Sequence, residues 1–152
     1  RRAVKPASSA SLPAMTRIKI DAEDVPMRGQ YAMRLTTGGS SIGAMSRPVP
    51  ITPGTTYTTA MALRFAWSGD PNPAAAADAR PNVYVAFNYF DASGRGIASD
   101  VTRYFQENST NGFATFVFHY TPPAGAQTVR IEIGAHRSGL SQPITIDADA
   151  LR

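Results

Sequence analysis

The feature that most constrains this chain is a strict alternation of apolar and polar side chains that returns in segment after segment. Successive side chains of a β-strand point to opposite faces, so a period of two places every second residue on one side. The segment 56–67 aligns Tyr57, Met61 and Phe65, and the segment 82–90 alternates in the same way. Further alternating segments lie at 16–20, 30–36, 113–120, 128–136 and 144–151. The pattern predicts an all-β chain whose strands each bury one face.

Turn residues separate these segments. Pro53 and Gly54 suit the central pair of a type II turn, because Pro fixes φ and Gly accepts a positive φ. The stretch 91–94 (DASG) favours an Asx-type turn, and 122–125 (PPAG) marks another reversal of the chain. Only 70–80 breaks the alternation, and we expect a loop with a single helical turn there. Together these signals predict an antiparallel β-sandwich of roughly eight to ten strands.

Length and composition limit the remaining possibilities. A chain of 152 residues with 43% hydrophobic residues fits one domain with a buried core. We expect this domain at 15–152, preceded by a linker or extended arm at 1–14, which is rich in Ala, Ser and Pro. The chain contains no cysteine, which excludes disulfides and thiolate metal sites. No apolar run approaches the roughly 20 residues that a membrane span needs.

The positive charge of the chain does not indicate a nucleic-acid partner. The formal net charge is +4, but the basic residues are scattered, and only Arg1 and Arg2 are adjacent. A nucleic-acid site usually needs Lys and Arg clustered on one face. We therefore expect no nucleic acid among the partners.

Several stretches, in their order along the chain, resemble one family. They are 29–35 (GQYAMRL), 51–58 (ITPGTTYT), 85–94 (ending YFDASG), 123–131 (PAGAQTVRI) and 144–147 (ITID). This order is similar to that of the galactose-binding-like jelly roll of carbohydrate-binding modules, which occurs on polysaccharide-degrading enzymes and in phage minor tail proteins. The resemblance covers roughly 16–152 and implies a jelly-roll sandwich.

The resemblance also implies a site for a polysaccharide or cell-surface glycan on the outer face of one sheet. Sugars are bound by aromatic faces and a few polar side chains in a groove. If the strands are neighbours as in the family, five residues that point away from the core converge: Arg64, Tyr84, Asn88, Glu132 and His136. The alternative is an ordinary mixed outer face, or a contact with another domain or subunit of a parent protein. Trp67, at the end of its strand, is expected in the core rather than at the rim of the groove.

A structural calcium ion is the cofactor that the resemblance implies. The family's last strand offers Asp147 as a ligand, together with the backbone carbonyl of Gln30. Asp149 lies two residues further along the strand, so its carboxylate points the same way. Calcium takes six to eight oxygen ligands. The sequence departs from the family pattern of the calcium site in two places. No convincing acidic segment opens the domain, and Ala148 stands where the family often has a second Asp.

The enzyme motifs of the sequence lack their structural context. The stretch 39–43 (GSSIG) matches the G-x-S-x-G nucleophile elbow, which requires a strand, a turn and a helix. The prolines at 48 and 50 prevent a helix there, and we interpret 38–41 (GGSS) as a hairpin turn. His119 and His136 lack metal-ligand spacing, and His119 is expected to face outward.

We therefore expect a non-catalytic, carbohydrate-binding-module-like domain within a larger extracellular or phage tail protein, located outside the cell or on a virion surface. The alternative is a structural or decoration domain of a virion or a multidomain enzyme, with no ligand at all.

Overall fold

The computed structural model describes residues 14–19, 31–36, 41–66, 81–105, 108–110, 112–136 and 144–149. Among them are ten β-strands: β1 (Ala14–Lys19), β2 (Tyr31–Thr36), β3 (Ser41–Met45), β4 (Val49–Pro50), β5 (Tyr57–Ala66), β6 (Asn82–Phe90), β7 (Gly96–Tyr104), β8 (Ala114–Tyr120), β9 (Thr128–His136) and β10 (Thr145–Asp149). No helix within the described ranges is long and apolar enough to cross a membrane.

The strands form two antiparallel sheets. The first sheet has the order β1-β2-β10-β5-β8, and the second has the order β3-β9-β6-β7, with β4 also paired to β9. Inner faces of the two sheets meet through aromatic rings: Phe87 of β6 stacks on Tyr120 of β8 with centroids 4.4 Å apart, and Phe65 of β5 lies 5.6 Å from Tyr104 of β7. The chain is thus an all-β sandwich, which confirms the predicted fold class.

The alternating residues of β5 and β6 build the core, as their pattern predicts. Met61, Leu63 and Phe65 are at most 1% exposed, and so are the residues of β6 that face them, Val83 and Val85. Burying a side chain of this size stabilises the fold by about 1.5–3 kcal/mol relative to leaving it exposed. The two sheets are therefore held together mainly by apolar burial.

The predicted turns have the expected geometry. Gly54 has a φ of 76°, the left-handed value that the second central residue of a type II turn requires. Asp91 closes an Asx-type turn, since its Oδ1 accepts hydrogen bonds from the backbone N–H groups of Ser93 and Arg95. These turns set the register of the strands that follow them.

Three strands were missed by the sequence reasoning: β3, β4 and β7. The expected hairpin turn at 38–41 lies outside the described residues except for Ser41, which begins β3. Trp67, Gln30, the loop at 70–80 and residues 1–13 also lie outside them, so the expectations placed there stay predictions. The last residue of the expected arm, Ala14, begins β1.

Candidate functional site

The register of the second sheet places its outward-facing residues in rows that cross the strands. Tyr84 of β6 pairs with Arg103 of β7 on one side and with Gly134 of β9 on the other. Gly134 in turn pairs with Gly43 of β3. Because directly paired residues of an antiparallel sheet share a face, these four positions form one row on the outer surface.

The neighbouring rows complete the outer face around Tyr84. Glu132 pairs with Ala86, and Ala86 pairs with Val101. His136 pairs with Asn82 on the other side of the Tyr84 row. The small residues Gly134 and Ala86 therefore lie beside Tyr84 on the two central strands, and larger side chains surround them.

These rows enclose a groove of about 330 Å³, which we call the Tyr84 groove. It is lined by Asn82, Tyr84, Ala86, Asn88, Ser99, Val101, Arg103, Glu132 and His136. Its volume lies at the lower end of the roughly 300–1,000 Å³ that ligand clefts span. The lining combines an aromatic ring, short apolar side chains, amides, one carboxylate and two basic groups.

A chain of hydrogen bonds fixes the polar side chains of the groove. Tyr84 Oη donates to Glu132 Oε1 at 2.8 Å, and Asn88 Nδ2 donates to Glu132 Oε2 at 3.1 Å. Asn88 Oδ1 accepts from Ser99 Oγ at 2.8 Å. The network spans β6, β7 and β9, so these side chains are already ordered before any ligand binds.

Burial, and then the hydrogen bond to the Glu132 carboxylate, raise the pKa of Tyr84 well above its ordinary value of 10.0. Both causes act in the same direction, because burial disfavours the phenolate and the neighbouring negative charge repels it. Tyr84 is therefore a neutral hydrogen-bond donor at any physiological pH.

The structure brings four of the five predicted carbohydrate-binding residues together: Tyr84, Asn88, Glu132 and His136 all line the groove. The expected convergence of Arg64 with them was wrong. Arg64 belongs to β5 in the first sheet, where it binds Asp147 and lies over the ring of Phe113 with 4.9 Å between guanidinium carbon and centroid. A sandwich has two outer faces, and alternation alone does not say to which of them a residue points.

Three further groove residues come from β7, a strand that the sequence reasoning missed: Ser99, Val101 and Arg103. β7 is the edge strand of its sheet, and all its residues except Tyr104 are exposed. An edge strand that is exposed on both faces carries little apolar alternation, so the usual signal is weak. The signal that remains is the turn at 91–94, which directs the chain back along β6.

The surroundings of Asp147 do not fit the calcium role that the resemblance implies. Its Oδ1 accepts from Arg34 Nε at 2.7 Å, and its Oδ2 accepts from Arg34 Nη2 and Arg64 Nε, each at 2.9 Å. The Asp147 side chain is only 3% exposed, so two guanidinium groups occupy both carboxylate oxygens in a confined space. Within the described ranges, no three acidic or histidine side chains cluster in a way that could hold a metal ion.

The sequence matches no family model and no curated protein, whereas several solved structures resemble this fold. The structure titled "Family 16 Carbohydrate Binding Module-2" superposes with a TM-score of 0.55 at 14% identity, over 91% of this chain and 83% of that one. The C-terminal family 22 carbohydrate binding module of Clostridium thermocellum Xyn10B gives 0.54 at 14% identity, over 91% and 80%.

The enzymatically active domain of tailspike protein 4 from Bacteriophage CBA120 gives a TM-score of 0.51 at 12% identity, over 91% of this chain but 19% of the tailspike chain. Similarity at these identities is similarity of fold. It agrees with the two-sheet architecture described above and with the family resemblance of the sequence. The chain therefore has the jelly-roll β-sandwich fold of carbohydrate-binding modules.

Proposed function

We propose that this domain binds a polysaccharide or cell-surface glycan in the Tyr84 groove and catalyses no reaction. The observation that carries the proposal is the groove itself, which gathers Tyr84, Asn88, Glu132 and His136 on the outer face of a sandwich that shares the carbohydrate-binding-module fold. Groups of this kind recognise sugars because the aromatic ring receives C–H groups while polar side chains bind hydroxyls.

The hydrogen-bond network gives each polar group a defined role toward a sugar. Glu132 accepts two hydrogen bonds from the protein, and its carboxylate retains lone pairs that accept from sugar hydroxyls. Arg103 contributes guanidinium donors from the edge strand to sugar oxygens. Because the network orders Glu132 and Asn88 in advance, binding costs less side-chain entropy.

The composition of the groove supports binding without cleavage. Glycoside hydrolysis ordinarily uses two carboxylic acids that flank the scissile bond. Glu132 is the one carboxylate among the described residues that line the groove. Moreover, both of its oxygens are held by donors from the protein, which suits a fixed acceptor better than a general acid.

We further propose that the domain acts outside the cell or on a virion, as part of a larger protein. The fold similarity to modules and to a phage tailspike supports this location. A shallow groove binds weakly at each site, and several copies on one assembly raise the avidity without any new contact.

A glycan array on the domain, followed by titration calorimetry with the best glycan, tests the proposal. We expect Tyr84→Ala to weaken binding about tenfold or more, because the half-buried aromatic anchor of the groove is lost. His136→Ala, inside the groove, should also weaken binding. His119→Ala is its matched control, because His119 lies exposed on the first sheet and, among the described residues, hydrogen-bonds only Thr58.

The outcomes separate the proposal from its rival. Equal losses in the two histidine variants would place the site elsewhere. A folded domain that binds no glycan would contradict the proposal and favour a structural module, whose outer faces are covered by neighbouring subunits.

A further inference from the structure

Two glycines lie where the side chain of Tyr84 crosses the sheet. Gly134 of β9 is the direct partner of Tyr84, and Gly43 of β3 is the direct partner of Gly134. The strand that carries Tyr84 thus has two successive neighbours without a side chain on its outer face. Glycine is disfavoured in strand interiors, so its presence there indicates a close approach of another group.

That other group is the phenol end of Tyr84. A Cβ atom at Gly134 would lie 2.5 Å from Tyr84 Oη and still nearer to its Cζ. A Cβ atom at Gly43 would lie 3.2 Å from Tyr84 Oη and 2.7 Å from Glu132 Oε1. Side chains of a sheet normally stand roughly perpendicular to it. Tyr84 instead lies across β9 toward β3, in the space that two side chains would otherwise fill.

We infer that Gly43 and Gly134 are positioning residues that lay the ring of Tyr84 along the floor of the groove and bring its hydroxyl to Glu132. The part of the ring that is not against the glycines lines the groove, where it forms a flat platform for the C–H face of a sugar ring. Beside this platform, the Glu132 carboxylate meets the hydroxyls at the edge of the same sugar. The inference rests on the proposed function, because it assigns the platform to a glycan.

The geometry selects Gly43→Ala as the main test. The atoms nearest to its new Cβ belong to the ends of two side chains, Glu132 and Tyr84, which can move. Gly134→Ala is the second test, although its Cβ would also lie 2.7 Å from the backbone oxygen of Ile42. Gly96→Ala is the matched control in the same sheet, because among the described residues its Cβ would meet only Phe90 Cε1, at an ordinary 3.8 Å.

Two readouts are needed, of which one does not depend on a glycan. The first is the rate of nitration of Tyr84 by tetranitromethane, followed by peptide mass spectrometry on the folded domain. We expect Tyr84 to be protected in the wild type and to react several-fold faster in both glycine variants, while the rate at Tyr89 stays unchanged. The second is the affinity for the best glycan, which should fall about tenfold in Gly43→Ala and stay unchanged in Gly96→Ala.

Unchanged nitration of Tyr84 in Gly43→Ala and Gly134→Ala would overturn the inference, whether or not a glycan binds. Faster nitration with wild-type affinity would overturn the platform and leave glycan binding intact. If the wild type binds no glycan, the proposed function fails. The nitration rates still decide whether Gly43 and Gly134 position the ring of Tyr84.

Discussion

Replacing Asp147 by Asn tests whether an ion cluster, rather than a metal, stabilises the middle of the first sheet. Asp147 of β10 is paired in register with Arg34 of β2 and Arg64 of β5, so the three charges form one row across adjacent strands. Asn has the shape of Asp but lacks its charge, and its amide group would face a guanidinium. The variant thus removes the attraction and leaves two positive groups beside each other.

The expected loss follows from burial. Removing one partner of a buried ion pair typically costs about 3–5 kcal/mol. The Asp147 side chain is 3% exposed, but those of Arg34 and Arg64 keep 38% and 26% exposure, so water solvates part of the charge that is left. We therefore expect the lower end, about 3 kcal/mol. For a domain of this size that lowers Tm by roughly 6–12 °C.

Urea and thermal unfolding, followed by circular dichroism, measure this loss. Asp100→Asn is the comparison, because Asp100 lies on the exposed edge strand and, within the part of the chain that the structure describes, binds only the hydroxyl of Tyr89. A double-mutant cycle with Arg64→Met isolates the pair and should give a clear coupling energy. A loss at Asp147 no greater than that at Asp100, or a coupling energy near zero, would refute the reasoning.

Three further outcomes are expected. Added Ca²⁺ should leave the Tm of the wild type unchanged in thermal melts, because guanidinium groups occupy both oxygens of Asp147. A rise in Tm that Asp147→Asn abolishes would instead show that a calcium site exists. Alkaline pH should destabilise the fold, because burial is the largest cause that raises the folded-state pKa values of Tyr84 and Tyr89. The stability that these two neutral hydroxyls contribute is complete below the unfolded pKa of about 10 and is lost as the pH rises above it. The loss in the free energy of unfolding is up to about 1.4 kcal/mol per pH unit for each group. Urea unfolding between pH 9 and 11 measures this slope, which Tyr84→Phe should reduce. Gly54→Ala should cost about 1–2 kcal/mol in urea unfolding, because φ at this position is 76°, and no loss would contradict the assigned turn.

The core of this sandwich was predictable because a strand with one buried face has an apolar side chain at every second position of the sequence. The faces of β5 and β6 follow directly from their alternation, and they are buried as expected. β7 was not predictable in the same way: Ile97 and Val101 are 36% and 42% exposed, so no buried face imposes a pattern on this edge strand. The three groove residues on β7 were therefore not predicted, although the turn before β7 was recognised.

The candidate site was predictable only as far as neighbouring strands were known. Tyr84 and Glu132 were placed together because the family resemblance makes β6 and β9 neighbours. Arg64 was assigned to the wrong face. The alternation shows that its side chain points away from the core, but it does not show which of the two sheets contains its strand. Gly43 was noted only as the last glycine of the G-x-S-x-G match, since a glycine that makes room for a tyrosine of a distant strand looks locally like any other glycine.

The two outer faces differ in one physical respect that explains why the groove lies on the second sheet. Across the middle of the first sheet, the row Arg34–Asp147–Arg64 fills the surface with long side chains that bind each other. Across the second sheet, the row Gly43–Gly134–Tyr84–Arg103 has no side chain on β3 and β9, and the side chain of Tyr84 lies over these two glycines. A ligand needs both empty space and polar groups with remaining hydrogen-bonding capacity. The second face offers the space above Tyr84 and Ala86 together with the Glu132 carboxylate. On the first face, the charged side chains of the central row already bind one another.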